Sequence, residues 1–258
     1  MYQFVGSLGR ITIRRLNRLM DLCALTYRLI TVALPLPRSG RAIIRRVIVE
    51  QIYFTAVQAL PVLIPVALII GSMSIIQFSQ LSGQVDLGKL MVILVLRETG
   101  PLITAIIVIL RSATAVTIET SYMNVLNEID ALEMAGIDPM LAIGFPRLVG
   151  ITSAVVSLIL VFDLMAIIGG YAIVKGVTIL PVEGFFQQTA KRIVGADIAV
   201  GLLKGILFGV AITVTCVYHG FSRKKQITQV PVATSRAAVD CFFYCLVINI
   251  FISFIFYV

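Results

Sequence analysis

Charge is scarce in this chain. Charged residues make up 13% of its 258 positions and hydrophobic ones 59%, with a mean hydropathy of +1.02. Soluble domains average about 45–50% apolar and about 25% charged residues, so a soluble globular class is excluded. The apolar runs are too long and unbroken for the alternating strands of a membrane barrel, which leaves helices. Histidine is nearly absent. His219 stands alone at the end of an apolar run, with no second ligand near it, and is expected in a surface role. The four cysteines, Cys23, Cys216, Cys241 and Cys245, lie in apolar settings, and the spacing of the last two fits helix packing. That argues against zinc or a disulfide framework. No G-x-x-x-x-G-K-[ST], H-E-x-x-H or G-x-S-x-G sequence occurs, so no nucleotide loop, zincin site or hydrolase elbow is expected. Catalytic residues, metal ligands and a cofactor of its own are not expected. Work driven by ATP would need a partner to hydrolyse it.

What is present is a series of apolar runs. A chain of this length holds roughly five or six spans of about 20 residues. The runs place them near 52–78, 88–118, 148–174, 196–218 and 238–258. The expected class is an all-α integral membrane protein with about five transmembrane helices. Pro61 and Pro65 are expected to kink the first span. The second is longer than a bilayer core of about 30 Å needs, so it must tilt, break near Gly100-Pro101, or protrude.

The net charge of +8 is uneven. Residues 1–50 carry nine arginines against Asp21 and Glu50. This segment divides from the transmembrane region at 51–258. A basic end beside membrane spans reads as cytoplasmic, near anionic headgroups, and nucleic acid is the weaker partner because no aromatic-basic platform accompanies it. No clean apolar core or cleavage site marks a signal peptide. Over residues 8–30, Leu16, Leu19, Met20, Cys23, Tyr27 and Ile30 share one helical face, with Arg10, Arg14, Arg18, Asp21 and Arg28 opposite. That pattern predicts an interfacial amphipathic helix, with packing on another subunit as the alternative. Arg223, Lys224, Lys225 and Arg236 put the loop after the fourth span inside as well. Five spans then leave the C-terminus outside. The piece FFQQTAKRI, within 175–195, is expected as a short outer-surface helix.

One block interrupts the apolar text. On the second span Arg97, Thr104 and Arg111 recur every seven residues, beside Glu98, Ala105, Ser112 and Glu119. Both sets share one helical side. Charges at membrane depth face protein or water and mark function by default. Arg97, Glu98, Thr104 and Arg111 are therefore candidates for a cavity receiving a charged head with apolar tails, since a guanidinium matches a phosphate. A structural Arg–Glu network is the alternative. Glu119, Asp163 and Lys204 are further intramembrane charges, with Lys204 placed to snorkel outward. The segment NVLNEIDALEMAGIDP follows as a short acidic-apolar helix with a Gly136 stop and an Asp138-Pro139 turn. Glu128, Ile129, Asp130, Leu132, Glu133, Gly136, Asp138 and Pro139 are the candidate grip for a cytosolic motor.

At these residues the sequence resembles the MlaE-type permeases, membrane subunits of bacterial ABC systems that move lipid with MCE-domain partners. The matching pieces are RETGPLITA (97–105), RSATA (111–115) with Glu119 and Met123, EIDALEMAGIDP (128–139), PR (146–147), FDLMAIIGG (162–170), LKGILFG (203–209) and ATSRAAV (233–239). They run in the family's order across roughly residues 45–257. The sequence departs from the family at Thr99, at Ser121 within Glu119–Met123, and at Leu126-Asn127-Glu128. The resemblance implies a homodimer in a bacterial inner membrane, N-terminus cytoplasmic and C-terminus periplasmic. Each copy would bind an ATPase, carrying ATP and Mg, through a coupling helix around Glu128–Pro139. An MCE protein would cap the outer face, and a small cytosolic accessory subunit is left open. Lipid would bind between protomers with Arg97 and Glu98 near its headgroup. Two other classes fit the residues alone: an ion-coupled transporter or channel relaying through Arg97, Glu98, Arg111 and Asp163, and a scaffold whose polar stripe only packs helices.

Overall fold

The computed structural model describes residues 20–29, 31, 41–80, 92–177, 195–221 and 226–257. Among these, every extended element is a helix. Five are long and apolar enough to cross a membrane: α2 (Ile44–Gln77), α3 (Ile93–Val125), α5 (Met140–Gly176), α6 (Asp197–Gly220) and α7 (Ile227–Phe256). Two short helices complete the set, α1 at 20–29 and α4 at Glu128–Met134. The chain is an all-α integral membrane protein with the number of spans the apolar runs predict.

α6 is the central helix. In its most apolar stretch 61% of residues are buried, against 22% in α7, which lies at the edge. α6 packs between α5 and α7, α3 packs across α5, α6 and α7, and α2 lies along α5. Small residues permit these approaches. A Cβ on Gly205 would stand 3.2 Å from the Val156 Cα, and one on Gly209 would strike the Thr152 backbone. This is the GxxxG spacing that lets membrane helices touch. Gly71 of α2 and Gly170 of α5 make a second close crossing, with a Gly170 Cβ 2.7 Å from the Gly71 carbonyl carbon.

The spans start earlier than their apolar runs suggest. α2 reaches back to Ile44, through a turn supported by the Arg46–Glu50 pair at 3.0 Å. α7 begins at Ile227 rather than 238, because polar residues such as Thr234, whose hydroxyl bonds the Val230 carbonyl at 2.9 Å, still propagate the helix. α2 is interrupted at Val57–Ala59 by a tight turn. The helix resumes at Leu60, with Pro61 in its first turn, where a missing N–H costs nothing. α3 accommodates its length with two wide turns, Val92–Thr99 and Ile109–Ala113. The first ends at Gly100-Pro101, where the helix changes from wide to ordinary turns and runs on without the expected break.

α1 packs by a second apolar side that the sequence reading does not pick out. Leu22 and Leu29 are buried against Leu148 and Val214, with Leu25 and Met140 beside them. Met20, Cys23 and Tyr27, expected to face the membrane interface, are exposed. The helix carries two apolar sides. The leucine side packs against α5 and α6, and the other is left outward. Leu16, Leu19, Ile30, Arg10, Arg14 and Arg18 lie outside the described residues, as do the segments 81–91, 178–194 and 222–225.

Candidate functional site

The polar stripe of α3 separates into three levels. At the end of the bundle remote from α4, Glu98 is the centre of a cluster drawn from three helices. Ser253 of α7 donates to Glu98 Oε1 at 2.6 Å, and Asn249 Nδ2 donates to Oε2 at 2.7 Å. Lys204 Nζ lies 3.3 Å from Oε1 and donates to Ser253 Oγ at 2.8 Å. Lys204 also donates to the Arg97 carbonyl at 2.6 Å. The local sequence explains that bond. Pro101 has no N–H for the carbonyl four residues back, and the ammonium takes the vacated acceptor. Arg97 itself pairs with Asp197 of α6 at 2.7 Å.

Burial is graded across this cluster. The Lys204 side chain is fully buried and Asp197 nearly so, while Arg97 and Glu98 keep 22% and 32% of their side-chain exposure. The expected snorkelling of Lys204 does not occur, because three acceptors inside the bundle hold its head. The cluster pairs two cations with two carboxylates and adds two neutral donors. A zwitterionic head entering here would bring one charge for each member of a pair, so neither partner need be left bare.

The middle level holds. Arg111 Nη1 donates to the Phe54 carbonyl at 2.6 Å and Nη2 to Gln58 Oε1 at 2.6 Å. Its guanidinium lies 5.0 Å from the Phe54 ring centroid. Phe54 immediately precedes the α2 interruption, so its carbonyl is available to a side chain. Arg111 therefore brackets α2 to α3, apart from the Arg97–Glu98 level with which periodicity grouped it. Thr104 lies between them, fully buried, its hydroxyl without a partner.

The third level lies nearer α4. Arg147 is buried and bonds Glu119 at 2.9 Å and the Thr120 hydroxyl. Arg147 was not singled out as a site residue. Its only sequence signal is the isolated Pro-Arg pair at the start of an apolar run. Glu119, Asp163 and Lys204 thus sit in three separate surroundings. Asp163 faces Gly100: a Cβ there would lie 2.5 Å from Asp163 Oδ1, and that oxygen has no hydrogen-bond partner. His219, expected at a surface, is instead half-buried and 2.9 Å from Asp240. Cys216, Cys241 and Cys245 are buried packing residues.

The segment between α3 and α5 is built as its residues dictate. Asn127 takes a left-handed φ of 60° ahead of α4, a conformation asparagine tolerates. Gly136 has φ 76°. Its N–H bonds the Glu133 carbonyl at 3.0 Å, and the Ile137 N–H bonds that of Leu132 at 3.0 Å. This pair of bonds is a Schellman stop. Asp138 then caps α5, accepting from the Met140 N–H at 2.9 Å, with Pro139 in the first-turn position. Arg28 of α1 approaches Asp138 at 3.7 Å. Ile129 anchors α4 inward, Glu128 and Glu133 face out, and Asp130 and Leu132 are half-buried. The most exposed apolar side chain here is Met134 at 84%, followed by Leu126 at 62% and Ile137 at 45%. These three were absent from the candidate grip, because periodicity alone does not tell which apolar side of so short a helix packs.

The described residues thus form a bundle of five apolar spans, with an ion-paired cluster inside it and a short exposed helix between spans. Residues 48–255 match the family model described as Permease MlaE, and this chain belongs to that family. It is 28% identical over 216 residues to a "Probable ABC transporter permease protein" of Rickettsia conorii, covering 81% of this chain and 83% of the relative. It is 28% identical over 202 residues to the "Intermembrane phospholipid transport system permease protein MlaE" of Haemophilus influenzae, covering 74% and 76%. A "Probable ABC transporter permease protein" of Synechocystis is 25% identical over 222 residues, covering 81% of each chain.

Proposed function

We propose that this chain is the permease subunit of an ABC system that moves phospholipid through the membrane, driven by a separate ATPase. The observation that carries the reading is the Glu98 cluster. It gathers Arg97, Glu98, Asp197, Lys204, Asn249 and Ser253 at one level, with Arg97 and Glu98 part-exposed. Arg97 would receive the headgroup phosphate in place of Asp197, and Glu98 would meet an ammonium or hydroxyl of the head. The neighbouring apolar helix faces would accept acyl chains. Phospholipid is what the Haemophilus relative's name states, and membership of the family supports carrying it to this chain.

The remaining assembly follows from the same reading. A bacterial inner-membrane setting, with the N-terminus and α4 in the cytoplasm and the C-terminus outside, fits the basic residues at 1–50 and 223–236. The ATPase, carrying ATP and Mg, would grip α4 and the exposed Leu126, Met134 and Ile137. A second copy of this chain would complete the lipid path, an MCE-domain protein would cap the outer end, and a small cytosolic subunit would attend the ATPase. Transfer of labelled phospholipid from liposomes holding the permease with its ATPase tests the function. ATP-dependent transfer is expected. Ion flux without ATP, and no lipid transfer with it, would replace this reading by an ion-coupled one.

A further inference from the structure

A second polar site lies at the other end of the bundle, where α3, α6 and the start of α7 meet. A recess of about 90 Å³ is lined there by Ser121, Asn124, His219, Gly220, Gln229 and Arg236, among others. Two of its groups, Ser121 and Arg236, have donor capacity to spare. Ser121 is 6% exposed, and its Oγ has no hydrogen-bond partner. Among the described residues, Arg236 makes no ion pair or hydrogen bond, although Asp240 stands one turn along the same helix. Asp240 is engaged by His219 at 2.9 Å. Asn124 Nδ2 reaches the Gly220 carbonyl only at 3.4 Å, a long bond that a better acceptor could replace.

A buried hydroxyl left without a partner, inside a membrane protein, costs free energy unless something fills the space. The helix supplying Arg236 starts at this recess. The tight turn Ile227–Gln229 leads directly into Val230, and its first N–H groups give that end a partial positive charge. A guanidinium, a hydroxyl, two amide side chains and a helix start converge on a volume suited to one compact oxyanion. The recess is a full α3 length away from Glu98, so it is no part of the cluster already described.

We propose that this recess binds a phosphate group at the α4 end of the membrane, with Arg236 and the Ser121 hydroxyl as its principal donors. The phosphate can come from an anionic lipid headgroup in that leaflet or from free inorganic phosphate. The site would hold a regulatory or structural lipid at the level where α3, α6 and α7 leave the bilayer. Its existence does not depend on what the Glu98 cluster transports.

The test uses the full chain in its complex with the ATPase, in nanodiscs of phosphatidylcholine containing a minor fraction of radiolabelled phosphatidic acid. A photo-crosslinking residue at Val232, which lines the recess, reports occupancy. Labelling by phosphatidic acid is expected, falling about tenfold in Arg236→Gln and about threefold in Ser121→Ala, as expected for loss of a charge-assisted and a neutral hydrogen bond. With unlabelled phosphatidic acid omitted, protection of wild type against thermal unfolding by millimolar phosphate, absent in both variants, would identify the free anion as the source. Lipid labelling that phosphate does not displace would identify the headgroup. If Arg236→Gln fails to fold, Ser121→Ala decides alone, since it removes one oxygen without adding bulk. Neither labelling nor phosphate protection in wild type would overturn the proposal, as would effects unchanged in folded variants. So would a crosslink to the ATPase polypeptide, which would make the recess a protein contact.

Discussion

Arg97 and Arg111 share a heptad spacing on α3, yet they meet different helices and are held in opposite ways. Arg97 pairs with a carboxylate of another helix at 2.7 Å and keeps part of its surface. Among the described residues, Arg111 meets no carboxylate. It fills a backbone carbonyl, an amide oxygen and an aromatic face of α2. A charge pair can be opened by a ligand that brings its own charges, because each partner is compensated on exchange. A guanidinium bound to a helix carbonyl cannot leave without orphaning that carbonyl inside the membrane. Under the proposed function, the same residue type at the same periodicity would serve exchange at one level and bracing at the other.

The comparison is broken most severely at Lys204. Lys204→Met leaves Glu98 charged and the Arg97 carbonyl without its donor, and removing one member of a buried pair costs about 3–5 kcal/mol. Folded yield from membranes should collapse. Lys204→Met combined with Glu98→Gln should restore part of the yield, since the Arg97 carbonyl stays without its donor, and should not restore lipid transfer. Restored transfer would make the cluster a packing device. Arg111→Ala comes next, with a loss of about 1–3 kcal/mol from the orphaned Phe54 carbonyl, read as a lower Tm. Transfer per folded molecule should stay near wild type, and Arg111→Lys should recover only part of the stability because a planar fork is replaced by a point donor. Gly209→Leu should cost a comparable amount, about 1–3 kcal/mol, by overpacking the α5–α6 contact. An unchanged Tm would place that close approach elsewhere.

The smallest stability effect is expected at α4. Met134→Arg alters a side chain that is 84% exposed, so Tm should move by less than about 0.5 kcal/mol equivalent. Co-purification of the ATPase should nevertheless fall, because a charge is set in an apolar contact. The Leu132→Arg change should also perturb stability, since Leu132 is half-buried. If Met134→Arg keeps full association, the grip lies outside α4.

Much of this fold is legible in the sequence. The apolar runs count the spans, Gly100-Pro101 marks the change of helix pitch in α3, and Gly136 with Asp138-Pro139 ends one helix and starts the next. Heptad spacing also singles out the charged residues of α3. It cannot find partners, because these come from distant helices. Asp197, Asn249 and Ser253 are unremarkable in an apolar run until α6 and α7 bring them to Glu98. Arg111 reads as a site residue because nothing in the sequence reveals the interruption of α2 at Val57–Ala59 that frees its acceptor. The packed side of α1 is missing from the sequence reading for a related reason: both of its sides are apolar, and only contact with Leu148 and Val214 distinguishes them.

The central claim is that the Arg97–Glu98 level handles a phospholipid head while the Arg111 level only braces. The direct measurement is ATP-driven transfer of labelled phospholipid by two variants reconstituted with the ATPase, each normalised to folded, ATPase-bound permease. Arg97→Gln with Asp197→Asn neutralises one pair together and leaves no buried bare charge. Arg111→Gln weakens the brace. The account predicts at least about a tenfold loss of transfer in the first, the size of one charge-assisted contact, and near-normal transfer in the second. Equal transfer by the two variants, or loss confined to Arg111→Gln, would contradict it.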